Sequence, residues 1–194
     1  MARLNVGDEA PDFSLRDPTG EWVKRSDFKG RKLLVYFFPK AGTPGCTKQS
    51  EAVRDARAEL AALGVDAVGI SPDPVAAQKT FSDRLKLNFP LLSDPDHAVA
   101  EAYGVWQEKS LYGRKYFGIV RSAFLIDAGG TILAAWYRVG PADTIPNALA
   151  ALKGDCATGT AAPPRDCRRE GRGSAGAGYG KKRMKTFDKE EDFL

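Results

Sequence analysis

The chain is poor in the residues that build metal centres and disulfide frameworks. Its 194 residues include three cysteines and a single histidine. An odd number of widely spaced cysteines does not form a framework of structural disulfides. One histidine without a cysteine cluster argues against a metal site and against a Cys–His–Asn hydrolase. We therefore expect neither a metal nor another cofactor.

Long apolar runs are also missing. The longest falls far short of the ~20 residues that a membrane span needs. Residues 1–9 contain no hydrophobic segment and reach acidic residues early, so we expect no signal peptide. A protein with few, unpaired thiols suits a reducing compartment, and the predicted location is the cytoplasm.

Apolar periodicity predicts alternating strands and helices. Strands are predicted at 12–16, 21–24, 32–38, 65–71, 89–92, 122–127 and 131–137, and helices at 47–63, 74–87, 97–103 and 142–152. Two strand–helix–strand steps followed by a hairpin and a helix describe a mixed sheet with helices on its faces. This order predicts an α/β, thioredoxin-like fold over residues 1–153.

The composition changes at residue 154. Residues 154–194 are rich in Gly, Ala, Ser, Pro and Arg and contain few large apolar side chains, which predicts a disordered tail. Basic residues concentrate in 165–185, and the end of the chain is mostly acidic. Because the basic stretch is short and is followed by acidic residues, we do not expect nucleic-acid binding.

One cysteine lies between a predicted strand and a predicted helix. The turn-rich segment from Pro39 to Thr47 follows the apolar run at 32–38 and contains Cys46. Backbone N–H groups and the helix dipole favour an anion at a helix N-terminus. The thiolate is the nucleophilic form of cysteine, so this position predicts thiol chemistry. Placement alone leaves a second interpretation open, since a cysteine after a strand is often a small core residue.

Several segments together resemble a known family. Residues 36–47 contain the pattern P-x-x-x-T-x-x-C, which resembles the active-site signature of peroxiredoxins, in the AhpC/TSA superfamily. The version T-P-G-C-T is similar to that of the Q-type, or bacterioferritin-comigratory-protein, subgroup. Residues 6–13, 105–115 and 118–127 also resemble this subgroup in order and spacing. The resemblance covers about residues 4–152 and is specific because its motifs occur in combination.

The resemblance implies an enzyme, a thiol-dependent peroxidase that reduces hydrogen peroxide and organic hydroperoxides. It implies a peroxidatic cysteine that cycles through sulfenic acid and is recycled by thioredoxin or another thiol. It also implies a monomer, or at most a weak dimer. A thioredoxin-like redox sensor or chaperone-like binding module without turnover is the alternative. A thiol–disulfide oxidoreductase is disfavoured because Thr43 stands where a Cys-x-x-Cys pair would begin.

The site residues follow from the same motif. Cys46 supplies the thiolate, and Thr43 can turn its hydroxyl toward the sulfur or the peroxide. Backbone N–H groups at Gly45 and Cys46 are expected to bind the substrate, and Pro39 limits the freedom of the loop. By resemblance, Arg121 is the cation that stabilises the thiolate and polarises the peroxide.

Each helper residue has a structural interpretation as well. Thr43 alone suits a helix N-cap, and Arg121 alone would be a solvated charge at a strand edge. Trp106, Tyr112 and Tyr116 could form an apolar collar around the site, although ordinary packing is favoured.

The chain departs from the subgroup at the second thiol. Many Q-type members carry a resolving cysteine five residues after the first, where this chain has Glu51. The predicted helix at 74–87, the other common location, has no cysteine either. Either an external thiol reduces Cys46 directly, or Cys156 or Cys167 of the tail resolves it. A flexible tether of about 15 residues, which leads to Cys167, spans roughly 20 Å. Both tail cysteines could also be incidental.

Overall fold

The computed structural model describes residues 3–111 and 114–154, which form an α/β domain. Its strands are β1 (Ser14–Arg16), β2 (Trp22–Lys24), β3 (Lys32–Phe37), β4 (Val65–Ser71), β5 (Leu91–Ser93), β6 (Trp106–Leu111), β7 (Arg114–Ile119), β8 (Ser122–Ile126) and β9 (Ile132–Tyr137). Its helices are α1 (Pro44–Asp55), α2 (Arg57–Ala62), α3 (Val75–Leu85), α4 (Ala98–Ala102) and α5 (Thr144–Leu152), with a 3₁₀ turn at Arg25–Phe28. Residues 155–194 of the predicted tail, with its two cysteines, lie outside the described residues.

A mixed sheet forms the centre of the domain. Among the described residues, seven strands pair in the order β2-β1-β5-β4-β3-β8-β9. The strands β3, β4 and β5 are parallel, whereas β8 is antiparallel to β3 and β9 is antiparallel to β8. Parallel strands covered on both faces are apolar along their whole length, and β4 is indeed buried throughout. The mixed sheet predicted from the sequence is therefore present.

Each face of the sheet has its own apolar core. Successive residues of β3 point to opposite faces, so Val35 and Phe37 belong to one cluster while Leu34 and Tyr36 belong to the other. Cys46 is in the second cluster. The two strands β6 and β7 form a separate antiparallel hairpin, which the sequence analysis did not predict.

The predicted helix at 47–63 is two helices. It begins earlier, with Pro44 at the first helical turn, where proline is favoured because its missing N–H has no partner there anyway. The break falls at Ala56, although the residues around it are good helix formers. The Arg57 guanidinium binds the Asp66 carboxylate at 2.7 Å and the Val65 carbonyl at 3.1 Å. The break therefore coincides with a tertiary contact to β4 that no local pattern encodes.

Other boundaries differ by a few residues. The helix α3 ends at Leu85 because Lys86 adopts a left-handed conformation with φ of 51°. The strand predicted at 89–92 is observed at Leu91–Ser93. In the part of the chain that the structure describes, no helix is long and apolar enough to cross a membrane.

Candidate active site

The loop after β3 leads directly into the helix that carries Cys46. The loop turns at Gly42, whose φ of 81° suits glycine, and Thr43 occupies the N-cap position of α1. Cys46 is the third residue of this helix and is fully buried. The N–H of Thr47 donates to the Thr43 carbonyl at 2.9 Å. The N–H groups of Gly45 and Cys46 precede this intrahelical bond and form part of the positive end of the helix dipole.

Arg121 lies beside the Cys46 thiol. Its Nη2 atom is 3.3 Å from Cys46 Sγ, although 75 positions separate the two residues in the chain. The cause is strand pairing, since Ser122 at the start of β8 is opposite Phe37 at the end of β3. Arg121 therefore stands next to the loop that precedes α1. A fixed cation at this distance stabilises a thiolate.

Gly45 makes this approach possible. A Cβ atom at Gly45 would lie 3.1 Å from Arg121 Nη2 and 3.4 Å from Cγ of Pro141. Glycine leaves room for the guanidinium against the first turn of α1. This steric role is separate from the substrate-binding role that the motif implies for the Gly45 N–H.

Gln49 was missed by the sequence analysis. It is fully buried one helical turn after Cys46, and its Oε1 accepts a hydrogen bond from Arg121 Nη1. Its Nε2 donates to Thr144 Oγ1 at 2.9 Å, which links the site to α5. The available signal was a polar side chain on the buried face of α1, three positions after the thiol. Thr144 had no such signal.

A second polar contact holds α1 against the sheet. The hydroxyl groups of Tyr36 and Ser50 are 2.9 Å apart, and both residues are fully buried. Burial raises the pKa of the Tyr36 phenol, which therefore stays protonated and can donate to Ser50. A Cβ at Gly69 would lie 2.6 Å from Tyr36 Cζ, so glycine on β4 makes room for the ring.

Lys109 is a further cation that the sequence analysis did not select. Its Nζ donates to the Ile119 carbonyl at 2.6 Å, two residues before Arg121. Burial lowers the pKa of Lys109, and repulsion from Arg121 and Arg138 lowers it further. The charge of Cys46 acts in the opposite direction. Lys109 therefore interacts electrostatically with both Arg121 and Cys46.

The remaining predicted residues make their described contacts with groups other than the sulfur. The Thr43 hydroxyl donates to the Lys40 carbonyl at 3.1 Å, and it makes no side-chain cap bond. Pro39 is half-buried in the same loop. Trp106 stacks on His97 with ring centroids 3.7 Å apart and packs against the core cluster that does not contain Cys46.

Tyr116 is 45% exposed. Tyr112, Cys156 and Cys167 lie outside the described residues.

The N–H of Ala41 donates to the Asp73 carboxylate at 2.6 Å, so a carboxylate that follows β4 lies beside the loop.

Comparison with known proteins is consistent with this geometry. The model of the AhpC/TSA family matches residues 6–135. The chain is 53% identical over 132 residues to the peroxiredoxin Bcp of Escherichia coli K12, which covers 68% of this chain and 85% of that protein. It is 51% identical over 133 residues to a putative peroxiredoxin Bcp of Haemophilus influenzae, which covers 69% of this chain and 86% of the relative.

Solved structures show the same similarity. The Mycobacterium tuberculosis peroxidoxin BcpB matches with a TM-score of 0.70 and 33% identity, over 78% of this chain and 98% of that one. A bacterioferritin comigratory protein of Xanthomonas campestris, described for its alkyl peroxide reduction activity, matches with a TM-score of 0.70 and 34% identity, over 74% and 91% of the two chains. The thioredoxin-like fold and the family resemblance predicted from the sequence are thereby confirmed. The chain belongs to the AhpC/TSA family and is a thiol-dependent peroxidase of its Q-type, or bacterioferritin-comigratory-protein, subgroup.

Proposed function

We propose that Cys46 is the peroxidatic cysteine of this peroxidase and that Arg121 is its activating cation. The observation that carries the proposal is the 3.3 Å contact between Arg121 Nη2 and Cys46 Sγ. The guanidinium and the start of α1 both stabilise negative charge on sulfur, and the thiolate is the form that attacks peroxides.

The chemical step transfers one oxygen to sulfur. The Cys46 thiolate attacks one peroxide oxygen in line with the O–O bond, so that an S–O bond forms while the O–O bond breaks. The electron pair of the broken bond leaves with the other oxygen, which takes a proton and departs as water or an alcohol. Sulfur is oxidised to sulfenic acid and the peroxide is reduced. Arg121 stabilises the negative charge that develops on the leaving oxygen.

The loop before α1 positions the peroxide in this proposal. Because the single hydroxyl proton of Thr43 is donated to the Lys40 carbonyl, its oxygen lone pairs are left to accept a hydrogen bond from the peroxide O–H. The N–H groups of Gly45 and Cys46 serve as donors to the peroxide oxygens. Pro39 restricts the loop, so that less conformational entropy is lost on substrate binding.

The substrates are hydrogen peroxide and organic hydroperoxides. The alkyl peroxide reduction activity ascribed to the Xanthomonas campestris relative supports the second class. The same chemistry applies to both because the attacked O–O bond is common to them.

Recycling requires a thiol that can reach Cys46, and we propose thioredoxin or a similar dithiol protein as the donor. One thiol condenses with the sulfenic acid, releasing water and forming a disulfide, and a second thiol then cleaves that disulfide. Because Cys46 is fully buried, a protein thiol can reach it only when the residues that cover the sulfur move. Cys167 or Cys156 is the candidate for an internal resolving thiol, since Glu51 occupies the common position.

The enzyme in this proposal is a monomer in the cytoplasm. A reducing compartment keeps the Cys46 thiol available between turnovers. Nothing in this cycle requires a second subunit, a nucleic acid or a membrane.

The test is peroxide consumption in the presence of thioredoxin and its reductase, with wild type and Cys46→Ser. We expect turnover for the wild type and only background consumption for Cys46→Ser. Cys156→Ser and Cys167→Ser in the full chain show whether either thiol resolves the sulfenic acid, since a resolving thiol is needed for turnover but not for the first oxidation of Cys46. Full activity in Cys46→Ser would refute the proposal. Oxidation of Cys46 without turnover by any thiol would instead favour the redox-sensor alternative.

Mass spectrometry of the peroxide-treated protein identifies the recycling route. A disulfide between Cys46 and Cys156 or Cys167 would establish internal resolution. Sulfenic or sulfinic acid that persists on Cys46 would support direct reduction by an external thiol.

A further inference from the structure

The Gln49 amide has one orientation that satisfies both of its neighbours. The Arg121 guanidinium carries donors only, so its partner on Gln49 must be the amide oxygen Oε1. The amide nitrogen Nε2 is then directed to Thr144 Oγ1, 2.9 Å away, which accepts its hydrogen bond. In the opposite orientation Nε2 would face the guanidinium, and two donors would oppose each other.

The surroundings make this choice energetically important. Gln49 and Thr144 are both fully buried, so bulk water does not replace a lost hydrogen-bond partner. A buried donor left without an acceptor costs about 1–3 kcal/mol. The guanidinium selects the amide orientation in which Oε1 faces Arg121, and the Thr144 oxygen supplies the acceptor that the buried Nε2 needs in that orientation.

The segment that leads to Thr144 contacts both Arg121 and the start of α1. The N–H of Val139 donates to the Arg121 carbonyl at 3.0 Å. Two residues later, Pro141 packs beside Gly45 at the start of α1. Thr144 then begins α5, with Asp143 as its N-cap residue. These contacts place Thr144, the first residue of α5, within hydrogen-bond distance of Gln49.

We propose that Thr144 is a positioning residue for the peroxidase reaction. Its hydroxyl accepts from Gln49 Nε2 and anchors the amide in place, Gln49 Oε1 holds Arg121 Nη1, and Nη2 is thereby kept facing the Cys46 sulfur. The inference rests on the proposed roles of Cys46 and Arg121. It adds that the C-terminal helix of the domain contributes to the reactivity of the thiol, through a residue 95 positions away from Gln49 in the chain.

The test compares Thr144→Val, which keeps the shape but removes the hydroxyl, with Thr144→Ser, which keeps the hydroxyl. Thr80→Val is a matched control, since it removes a threonine hydroxyl from the exposed face of α3. Two quantities are measured on the full chain: the rate constant for oxidation of Cys46 by hydrogen peroxide in a single turnover, and the pH midpoint of the thiolate ultraviolet absorbance.

We expect Thr144→Val to lower the oxidation rate constant about tenfold, which corresponds to about 1.4 kcal/mol, the scale of one buried hydrogen bond. The thiolate midpoint should move to higher pH because Arg121 is no longer held toward the sulfur. Thr144→Ser should restore most of the rate, and Thr80→Val should equal the wild type. If Thr144→Val does not fold, Thr144→Ala against Thr144→Ser isolates the hydroxyl, since these variants differ in that group alone.

An unchanged rate and thiolate midpoint in Thr144→Val would overturn the inference, as would equal losses in Thr144→Val and Thr144→Ser. The proposed function has a separate failure, namely a wild type whose peroxide oxidation is unaffected by Cys46→Ser. A wild type that depends on Cys46 but not on the Thr144 hydroxyl would therefore contradict the positioning role alone.

Discussion

The Nη2 atom of Arg121 lies 3.3 Å from Sγ of Cys46, and its Nη1 atom donates to Oε1 of Gln49. One planar guanidinium thus contacts both the buried thiol and a buried amide. A lysine ammonium is a single point charge and does not reproduce a fork that joins two fixed partners. The predictions below follow from this arrangement and from the polar contacts around it.

Arg121→Lys is expected to lower the rate constant for Cys46 oxidation by hydrogen peroxide about 100-fold, which is the scale for removing a preorganised donor at a developing anion. The measurement is stopped-flow oxidation of the reduced full chain. Arg16→Lys is the matched control, because Arg16 is an exposed arginine that donates to the Gly20 carbonyl. A rate equal to wild type in Arg121→Lys would mean that charge alone, without the fork, is sufficient.

Gly45→Ala is expected to reduce peroxide reactivity about tenfold. The added Cβ would lie 3.1 Å from Arg121 Nη2, so the guanidinium has to shift away from its position at the sulfur. Alanine is a better helix former than glycine, and the free energy of unfolding should change by less than about 1 kcal/mol. Rates and urea unfolding curves measured on the same protein separate the two effects. Gly129→Ala is the control, because Gly129 lies between β8 and β9 and its added Cβ would stand 3.4 Å from Asp127 Oδ1, an ordinary contact distance. Unchanged reactivity in Gly45→Ala would contradict the steric role.

Tyr36→Phe is expected to destabilise the domain by about 1–3 kcal/mol, because it leaves the buried Ser50 hydroxyl without its partner. The measurement is the free energy of unfolding in urea. Tyr116→Phe should change it by less than about 0.5 kcal/mol, since Tyr116 is 45% exposed. The double variant Tyr36→Phe with Ser50→Ala should recover part of the loss, and failure to do so would show that the pair is not the cause.

Lys109 should make the free energy of unfolding depend on pH in the alkaline range. Burial lowers the pKa of Lys109 below its ordinary value of 10.5, so the unfolded chain binds the proton more tightly than the folded domain does. The free energy of unfolding therefore increases as the pH rises from the folded pKa of Lys109 toward 10.5, and it decreases again as the pH falls through this range. Urea unfolding of wild type and Lys109→Gln over this range measures the difference. We expect wild type to gain stability relative to the variant as pH increases, and a constant difference would contradict the assignment.

The sequence anticipated the local parts of the site well. The apolar run of β3, the turn and the helix around Cys46 all depend on neighbouring residues, and the structure contains all three, with the helix beginning at Pro44 rather than at residue 47. The sequence did not anticipate the break at Ala56 or the hairpin of β6 and β7. The break coincides with the contact between Arg57 and Asp66, and the hairpin lacks a clear alternation of apolar and polar residues.

Composition and periodicity by themselves determined the α/β class, and the local pattern at 39–47 determined that a thiol stands at a helix N-terminus. These features depend on residues that are only a few positions apart in the chain, so a local sequence pattern is sufficient to predict them. Only the tertiary structure decided that Arg121 reaches the sulfur, because that contact depends on the pairing of β8 with β3. The link from Gln49 to Thr144 likewise depends on how α5 packs against α1, and no local pattern encodes a contact between residues so far apart in the chain.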